Sequence, residues 1–235
     1  LLDGNRLQAY EPWANALTTL TAPYNGLASD GPFYFFPFYK FAADSVKQGI
    51  IPLWDPYIGA GIPFWGNATF PVLYPGIILF YLIPLTHAWN MTFFLHLLLA
   101  GIGMYYFLRV IKLSRFSSLF GAVLYNFGGF AFTFVWINEH IYPFTWTPWL
   151  FLCFEKFRQT RKYIYLLLSG VILAVQISIL QPVFTYFLFL LFSCYFLFSI
   201  ICEFKDKKSF IKSLHFLLCF VIVLIIAFAL AAAPI

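Results

Sequence analysis

The sequence predicts an all-α integral membrane protein, and three observations support that prediction. Of the 235 residues, 62% are hydrophobic and 10% are charged, and the mean hydropathy is +0.84. A soluble domain carries about 25% charged residues, so this composition is typical of membrane proteins. Long apolar runs recur along the chain, and basic residues are concentrated between them. Because the sequence begins with Leu1 and ends inside an apolar run, we expect it to be part of a longer protein.

We expect residues 1–70 to form a long outer loop, because they contain no apolar run of spanning length. Within this loop, Phe33–Gln48 is predicted to be an amphipathic helix whose aromatic side rests on lipid headgroups. Gly59-Ala60-Gly61 indicates a turn. The interfacial segment, residues 71–90, contains the short apolar run Tyr74–Pro84, which we expect to lie flat on the outer leaflet.

The remaining residues, 91–235, are predicted to form about six transmembrane helices in the same single membrane domain. A spanning helix needs about 20 mostly apolar residues, and six runs approach that length. The predicted spans are Met91–Leu108, Ser117–Val135, Tyr142–Phe157, Tyr163–Leu180, Pro182–Ile201 and Ser213–Ala233.

The basic residues predict the orientation of these helices. Eleven of the 14 Lys and Arg residues lie in three clusters, within residues 109–115, 156–162 and 205–212. Basic loops face the cytoplasm, and six alternating spans place all three clusters on that side of the plasma membrane. Residues 1–70 and 136–143 then lie outside. A nucleic-acid partner is not expected, because the clusters interrupt apolar runs and form no continuous basic face.

Three aspartates in the outer loop are candidate functional residues, each with a simpler structural role. Asp30 precedes Gly31-Pro32 and an aromatic run, where a carboxylate could act as a general base or as a helix N-cap. Asp44 lies four residues after Lys40, which favours a surface ion pair. Asp55 precedes a proline, which is typical of a turn.

Further polar residues lie near the predicted membrane boundary. The adjacent Glu139 and His140 fall in a polar loop, where His140 could donate a proton or contact a phosphate, or the loop could have no function. Gln181 interrupts an apolar hairpin, and it either binds substrate or caps the turn. His96 lies inside a span, where we expect a hydrogen bond between helices. None of the four cysteines has the spacing of a disulfide framework or metal site.

Several motifs resemble one family in a specific order. The segment "SDGPFYFFPFYKFAADSVKQGIIPLWDPYIGAGIPFWGNATFPVLYP" is followed by "HLLLAGIGMYYFLR", "SSLFGAVLYNFGGF" and "WTPWLFL". This order of blocks resembles the YfhO-type family of bacterial multi-pass membrane proteins over roughly Tyr24 to Pro234. Asp55 departs from the family pattern, which usually has Asn there, and "GNATF" around Asn67 departs from it as well.

The resemblance implies a GT-C-like helix bundle and an inverting glycosyltransferase. Such an enzyme would transfer a sugar from a polyprenyl-phosphate donor to an envelope glycan or lipid acceptor on the outer side of the membrane. Asp30 would be the catalytic base. The resemblance and the outer position of these groups together predict a substrate-binding set of Lys40, Asn67, Glu139, His140 and Gln181.

Other interpretations of the sequence remain open. A divalent cation held by Asp30 with Asp44 or Asp55 is an alternative partner for the leaving phosphate, but no complete ligand set is visible, so no metal site is predicted. A lipid-linked glycan transporter, or flippase, would use the same donor without breaking a bond. A non-catalytic protein of envelope assembly would need Asp30 only as a helix cap.

Overall fold

The protein folds mainly into α-helices, which confirms the predicted all-α class. A computed structural model describes residues 35–64, 74–134, 138–179, 182–203, 218 and 221–229. Residues 221–229 are helical. The other helices are α1 (Phe36–Lys47), α2 (Ile78–Leu82), α3 (Leu85–Val110), α4 (Arg115–Phe127), α5 (Gly129–Phe134), α6 (Asn138–Thr160), α7 (Tyr163–Ser178) and α8 (Pro182–Glu203).

Local signals set the limits of α1 and of the hairpin after it. Pro37 lies in the first turn of α1, where its missing N–H costs no hydrogen bond. Gly49 ends the helix with φ +73°, in the left-handed region that glycine tolerates best. Two short strands, β1 (Trp54–Asp55) and β2 (Ile62–Pro63), then pair in antiparallel register. The turn at residues 59–61 joins these strands, as the sequence predicts.

Helices α3 and α6 lie side by side and run in the same direction. The Thr145 hydroxyl of α6 donates a hydrogen bond to the His96 carbonyl of α3 at 3.1 Å. Fourteen residues further along both helices, the Gln159 amide donates to the Val110 carbonyl at 2.9 Å. Equal spacing on both helices means that their first turns share one end of the bundle and their last turns share the other.

Helices α4 and α7 run antiparallel to α3 and α6. The Asn126 amide, near the end of α4, donates to the Leu97 carbonyl of α3 at 2.9 Å. The Gln176 amide, near the end of α7, lies 3.5 Å from the Pro143 carbonyl of α6. The described helices therefore alternate in direction in the sequence α3, α4, α6 and α7, as the six-span prediction requires.

The two ends of this bundle differ in composition. We call the end formed by α1, α2 and the first turns of α3 and α6 the aromatic end. We call the end formed by the last turns of α3 and α6, with the connections 111–114 and 161–162, the basic end. Two of the three predicted basic clusters lie at the basic end, whereas the third, residues 205–212, falls outside the described residues.

The aromatic side of α1 contacts protein, so its predicted position on lipid headgroups was wrong. Phe38 and Tyr39 are fully buried, and Tyr39 packs with its ring centroid 5.5 Å from that of Trp89 at the start of α3. Phe80 of α2 also packs on Tyr39, with the two ring centroids 4.2 Å apart. Because α2 packs beneath α1, these rings contact protein and not lipid headgroups. An amphipathic pattern in the sequence does not distinguish these two environments.

Two predicted helix starts differ from the structure. Helix α3 begins at Leu85, six residues before the predicted span, because Pro84 directly precedes it and suits a helix start. Helix α6 begins at Asn138, so Glu139 and His140 belong to its first turn and not to an outer loop. The helix continues through Pro143 and Pro148, although each proline removes one backbone hydrogen bond within it.

The predicted span Ser117–Val135 is not one helix. It divides at Gly128, which is extended with φ −64° and ψ 161°, into α4 and the six-residue α5. The adjacent glycines, Gly128 and Gly129, carry the highest backbone entropy cost within a helix, which favours a break there.

One helix in the described part of the chain, α3, is long and apolar enough to cross a membrane. Its 26 residues correspond to about 39 Å. Two shorter apolar stretches follow, Tyr163–Ser178 and Val183–Ser199. The six-span bundle therefore stays a prediction, while the helical fold and one potential spanning helix are established.

Candidate functional site at the aromatic end

A groove of about 770 Å³ lies between α1 and the segment 48–58 that follows it. Its apolar lining includes Leu53, Trp54 and Tyr57, all of which are exposed. Its polar lining includes Lys40 and Asp44. A concave site with aromatic walls and a few charged groups is the usual form of a small-molecule binding site.

The charged rim of the groove is an ion pair. Lys40 Nζ lies 2.7 Å from Asp44 Oδ2, and the two side chains are 61% and 48% exposed. The surface ion pair predicted from the spacing of these residues is confirmed. An exposed pair contributes about 0–1 kcal/mol to stability, so either partner can be released to a ligand at small cost.

Asp55 lies inside the groove wall and stabilises a turn. It is 1% exposed, and its Oδ1 accepts a hydrogen bond from the Tyr57 amide at 2.9 Å. The predicted turn role is therefore confirmed. No group of three or more His, Cys, Asp or Glu side chains suitable for a metal occurs among the residues that the structure describes.

Beneath α1, a hydrogen-bonded chain links three structural elements. The Trp146 indole N–H donates to the Tyr74 hydroxyl at 2.9 Å, and that hydroxyl lies 2.5 Å from His96 Nε2. His96 Nδ1 lies 2.5 Å from the Thr92 carbonyl. Because a carbonyl only accepts, Nδ1 carries the proton and Nε2 accepts from Tyr74.

His96 is hydrogen-bonded as expected, but its side-chain bonds do not join two helices, so that part of the prediction was wrong. Its partner, Tyr74, lies just before α2 and not on a neighbouring spanning helix. Burial raises the pKa of the Tyr74 phenol, which keeps this hydroxyl neutral and able to donate. The chain therefore stabilises the junction of α2, α3 and α6 in one hydrogen-bonded arrangement.

A second contact positions α1 over α6. The hydroxyls of Tyr39 and Tyr142 lie 3.0 Å apart in the buried interior. Tyr142 also stacks on Tyr74 with ring centroids 4.2 Å apart. The groove beside α1 is thereby fixed to the same end of the bundle as the first turn of α6.

The predicted site residues fall into two groups. Lys40 lines the groove, and His140 lies in the first turn of α6 with its ring 4.7 Å from that of Phe184 near the start of α8. Glu139 precedes His140 in the same turn. The structure thus brings these three to the aromatic end. Asp30, Asn67 and Gln181 lie outside the described residues, so their places in the site stay predictions.

The sequence reasoning missed a buried acid at the opposite end. Glu155 of α6 is 1% exposed, and Arg158 contacts both of its carboxylate oxygens, at 2.8 and 2.6 Å. Gln159 and the Tyr195 hydroxyl of α8 also donate to this carboxylate, each at 2.9 Å. The spacing of Glu155 and Arg158, three residues apart in a predicted helix, was an available signal.

No protein-family model matches the chain, and neither a curated protein nor a solved structure matches it. The family resemblance therefore stays a prediction from the quoted motifs.

Proposed function

We propose that this chain is a multi-pass membrane protein that transfers a sugar from a polyprenyl-phosphate donor at its aromatic end, outside the plasma membrane. The observation on which the proposal depends is the position of the groove beside α1. It lies at the end of the bundle opposite the two described basic clusters.

Membrane insertion is supported by the distribution of side chains around α3. Large apolar residues at intervals of four point outward, and Phe94 is 67% exposed. Small and polar residues with a similar spacing, among them Thr92, His96 and Ala100, are buried against other helices. This pattern is the reverse of a soluble helix, and it matches helices that pack in lipid through small and polar residues.

The same distribution occurs on two more helices. On α4, Ser118 and Ala122 are buried, while Phe116 and Phe120 are exposed. On α7, Ser169, Gly170 and Gln176 face the interior. The exposed members of α7 are Ile164, Leu167, Leu168 and Val171. Apolar surface on this scale is strongly unfavourable in water, and a bilayer would cover it.

The orientation follows from the basic end. Arg109 and Arg158 lie in the last turns of α3 and α6, and Lys112 and Arg161 lie just after these helices, so four cations belong to the same end of the bundle. Clusters of Lys and Arg beside spanning helices face the cytoplasm. The groove, at the other end of a bundle about 34–39 Å long by helix rise, then opens near the outer surface.

The proposed reaction combines Asp30, which lies outside the described residues, with cations at the aromatic end. The Asp30 carboxylate accepts the proton of an acceptor hydroxyl, and the hydroxyl oxygen forms a bond to the anomeric carbon of the sugar. The bond from that carbon to the lipid phosphate oxygen breaks, and the phosphate leaves with the electron pair. Positive charge from Lys40 or a protonated His140 would stabilise the leaving phosphate.

The test is sugar transfer by the full-length protein in proteoliposomes loaded with a radiolabelled polyprenyl-phosphate sugar. Asp30→Asn removes the base and keeps the shape, so release of polyprenyl phosphate should fall at least 100-fold. Glu203→Gln, at the last residue of α8, is the control for loss of one carboxylate and should keep wild-type activity.

Two outcomes would contradict this proposal. Wild-type activity in Asp30→Asn would remove the assignment of the base. Movement of intact donor across the bilayer, with no release of polyprenyl phosphate, would favour the transporter instead.

A further inference from the structure

A second groove lies at the basic end and has no part in the proposed reaction. It has a volume of about 920 Å³ and lies between α3, α6 and α7. Its walls are apolar and include Trp149, Leu168, Val171 and Ile172. Gly103 of α3 makes room for the Trp149 ring, since a Cβ there would lie 2.6 Å from the indole nitrogen.

Three cations line this groove, namely Arg109, Lys112 and Lys156. No acidic side chain lines it among the described residues, and neither lysine forms an ion pair with a described side chain. The neighbouring acid, Glu155, is engaged by Arg158 and Tyr195 and does not line the groove. The groove therefore combines an apolar wall with three cations and, in the part of the chain that the structure describes, no acidic group.

The backbone of Lys112 supports a role for this side chain. Its φ is +70°, in the left-handed region where glycine is favoured after a helix. The Leu113 amide bonds to the Leu108 carbonyl at 3.1 Å, which closes the end of α3 around this residue. This helix end places the exposed Lys112 side chain at the lining of the groove.

We propose that this groove binds one anionic membrane phospholipid. The phosphate would lie among Arg109, Lys112 and Lys156, and an acyl chain would lie along the wall of Trp149, Leu168 and Val171. An apolar channel that ends in three cations is complementary to that lipid in both charge and polarity. The proposal rests on the membrane placement proposed above and is independent of sugar transfer.

The experiment is native mass spectrometry of the full-length protein in detergent, titrated with phosphatidylglycerol and, separately, with phosphatidylcholine of the same acyl chains. Phosphatidylglycerol should bind at least tenfold more tightly. Lys112→Gly should weaken its binding about fivefold, the contribution expected of one cation near a lipid headgroup. Because glycine suits the left-handed backbone, this variant should fold as well as the wild type.

Arg161→Gly is the matched control. Arg161 also has a left-handed backbone, with φ +57°, and it ends α6 at the same level without lining the groove. Arg161→Gly removes one positive charge from the same backbone conformation as Lys112→Gly does. Because Arg161 does not line the groove, phosphatidylglycerol affinity should change less than twofold. If Lys112→Gly and Arg161→Gly weakened phosphatidylglycerol binding equally, the binding would depend on general surface charge, and the proposed lipid site would be wrong.

A third variant tests the apolar wall. Val171→Trp fills the groove from a partly exposed position on α7 without changing charge, and it should weaken phosphatidylglycerol binding at least fivefold. Inorganic phosphate at 10-fold excess over lipid should not displace the lipid, because phosphate lacks the acyl chain. Equal binding of both phospholipids, or displacement by phosphate alone, would contradict the proposal. If the protein showed no sugar transfer but still preferred phosphatidylglycerol, the proposed function would be wrong and the lipid site would stand.

Discussion

The ion pairs at the two ends of the bundle differ in exposure. At the aromatic end, the ion pair of Lys40 and Asp44 is exposed at the rim, while the hydrogen-bonded chain beneath α1 consists of hydroxyl, indole and imidazole groups and Asp55 is buried in a turn. At the basic end, the Glu155 carboxylate is buried and receives hydrogen bonds from Arg158, Gln159 and Tyr195. The ion pair at the aromatic end is therefore accessible to a ligand, whereas the ion pair at the basic end is structural and separate from the cations that line the second groove.

This difference matches the cost of burying charge. A buried carboxylate needs a partner and further donors, and Glu155 has them on α6 and α8. The exposed pair on α1 needs none of this support. The aromatic end can thus exchange partners around the groove, whereas the network around Glu155 fixes α6 against α8.

The largest effect is expected from removing the aromatic packing of α1 and α3. Trp89 is 1% exposed and contacts the rings of Tyr39 and Phe80, so Trp89→Ala should lower the free energy of unfolding by about 3–5 kcal/mol. Trp54→Ala, at a residue that is 54% exposed, should cost less than about 1 kcal/mol. Thermal unfolding in micelles measures both. Equal losses would mean that the rings of α1 contact lipid after all.

The next effect separates the two ion pairs. Arg158→Ala leaves the buried Glu155 carboxylate without its cation and should cost about 3 kcal/mol. Lys40→Ala should cost less than about 1 kcal/mol, because its pair is exposed to solvent. Adding Glu155→Gln to Arg158→Ala should restore part of the loss, since the uncompensated charge is then removed. Chemical denaturation checks all three variants, and no restoration would show that Arg158 acts through packing alone.

A smaller effect is expected from the hydrogen-bonded chain at the aromatic end. Tyr74→Phe removes the hydroxyl between Trp146 and His96 and should cost about 1–2 kcal/mol. Nitrogen NMR should show His96 protonated at Nδ1 in the wild type and in the variant, because the Thr92 carbonyl accepts that proton in both, and only the Nε2 resonance should shift when the Tyr74 hydroxyl is removed. Tyr57→Phe, at an exposed ring, is the control. A wild-type spectrum with the proton on Nε2 would contradict the hydrogen-bond directions assigned here.

Much of the fold could be predicted because its signals are local. The turn at Gly59-Ala60-Gly61 depends on glycine backbone freedom, and the end of α1 depends on Gly49. The hydrogen bond of His96 followed from the cost of a polar side chain inside an apolar run. The ion pair of Lys40 and Asp44 followed from their spacing on one helix.

The parts that could not be predicted depend on contacts distant in sequence. The rings of α1 pack on Trp89 and Phe80, more than 40 residues away, and the amphipathic pattern does not distinguish that surface from lipid. Tyr195 reaches Glu155 from 40 residues further along the chain. The break at Gly128 lies inside a continuous apolar run, and the length and hydropathy of that run predicted a single spanning helix.

The candidate site could be predicted only in part for the same reason. The structure places Lys40, Glu139 and His140 at one end because α1 and α6 are joined by the contact of Tyr39 with Tyr142. Asp30 was assigned by resemblance, and its role therefore awaits the Asp30→Asn experiment.

The central claim is that the aromatic end and the basic end face opposite sides of a membrane. The direct measurement is labelling of single cysteines by a membrane-impermeant maleimide in intact cells, in a background without the four native cysteines. Lys47→Cys, at the end of α1, and Lys112→Cys, after α3, are both at exposed positions. We predict that the first is labelled in intact cells and the second only after the membrane is opened. Labelling of both residues from the same side would contradict the account.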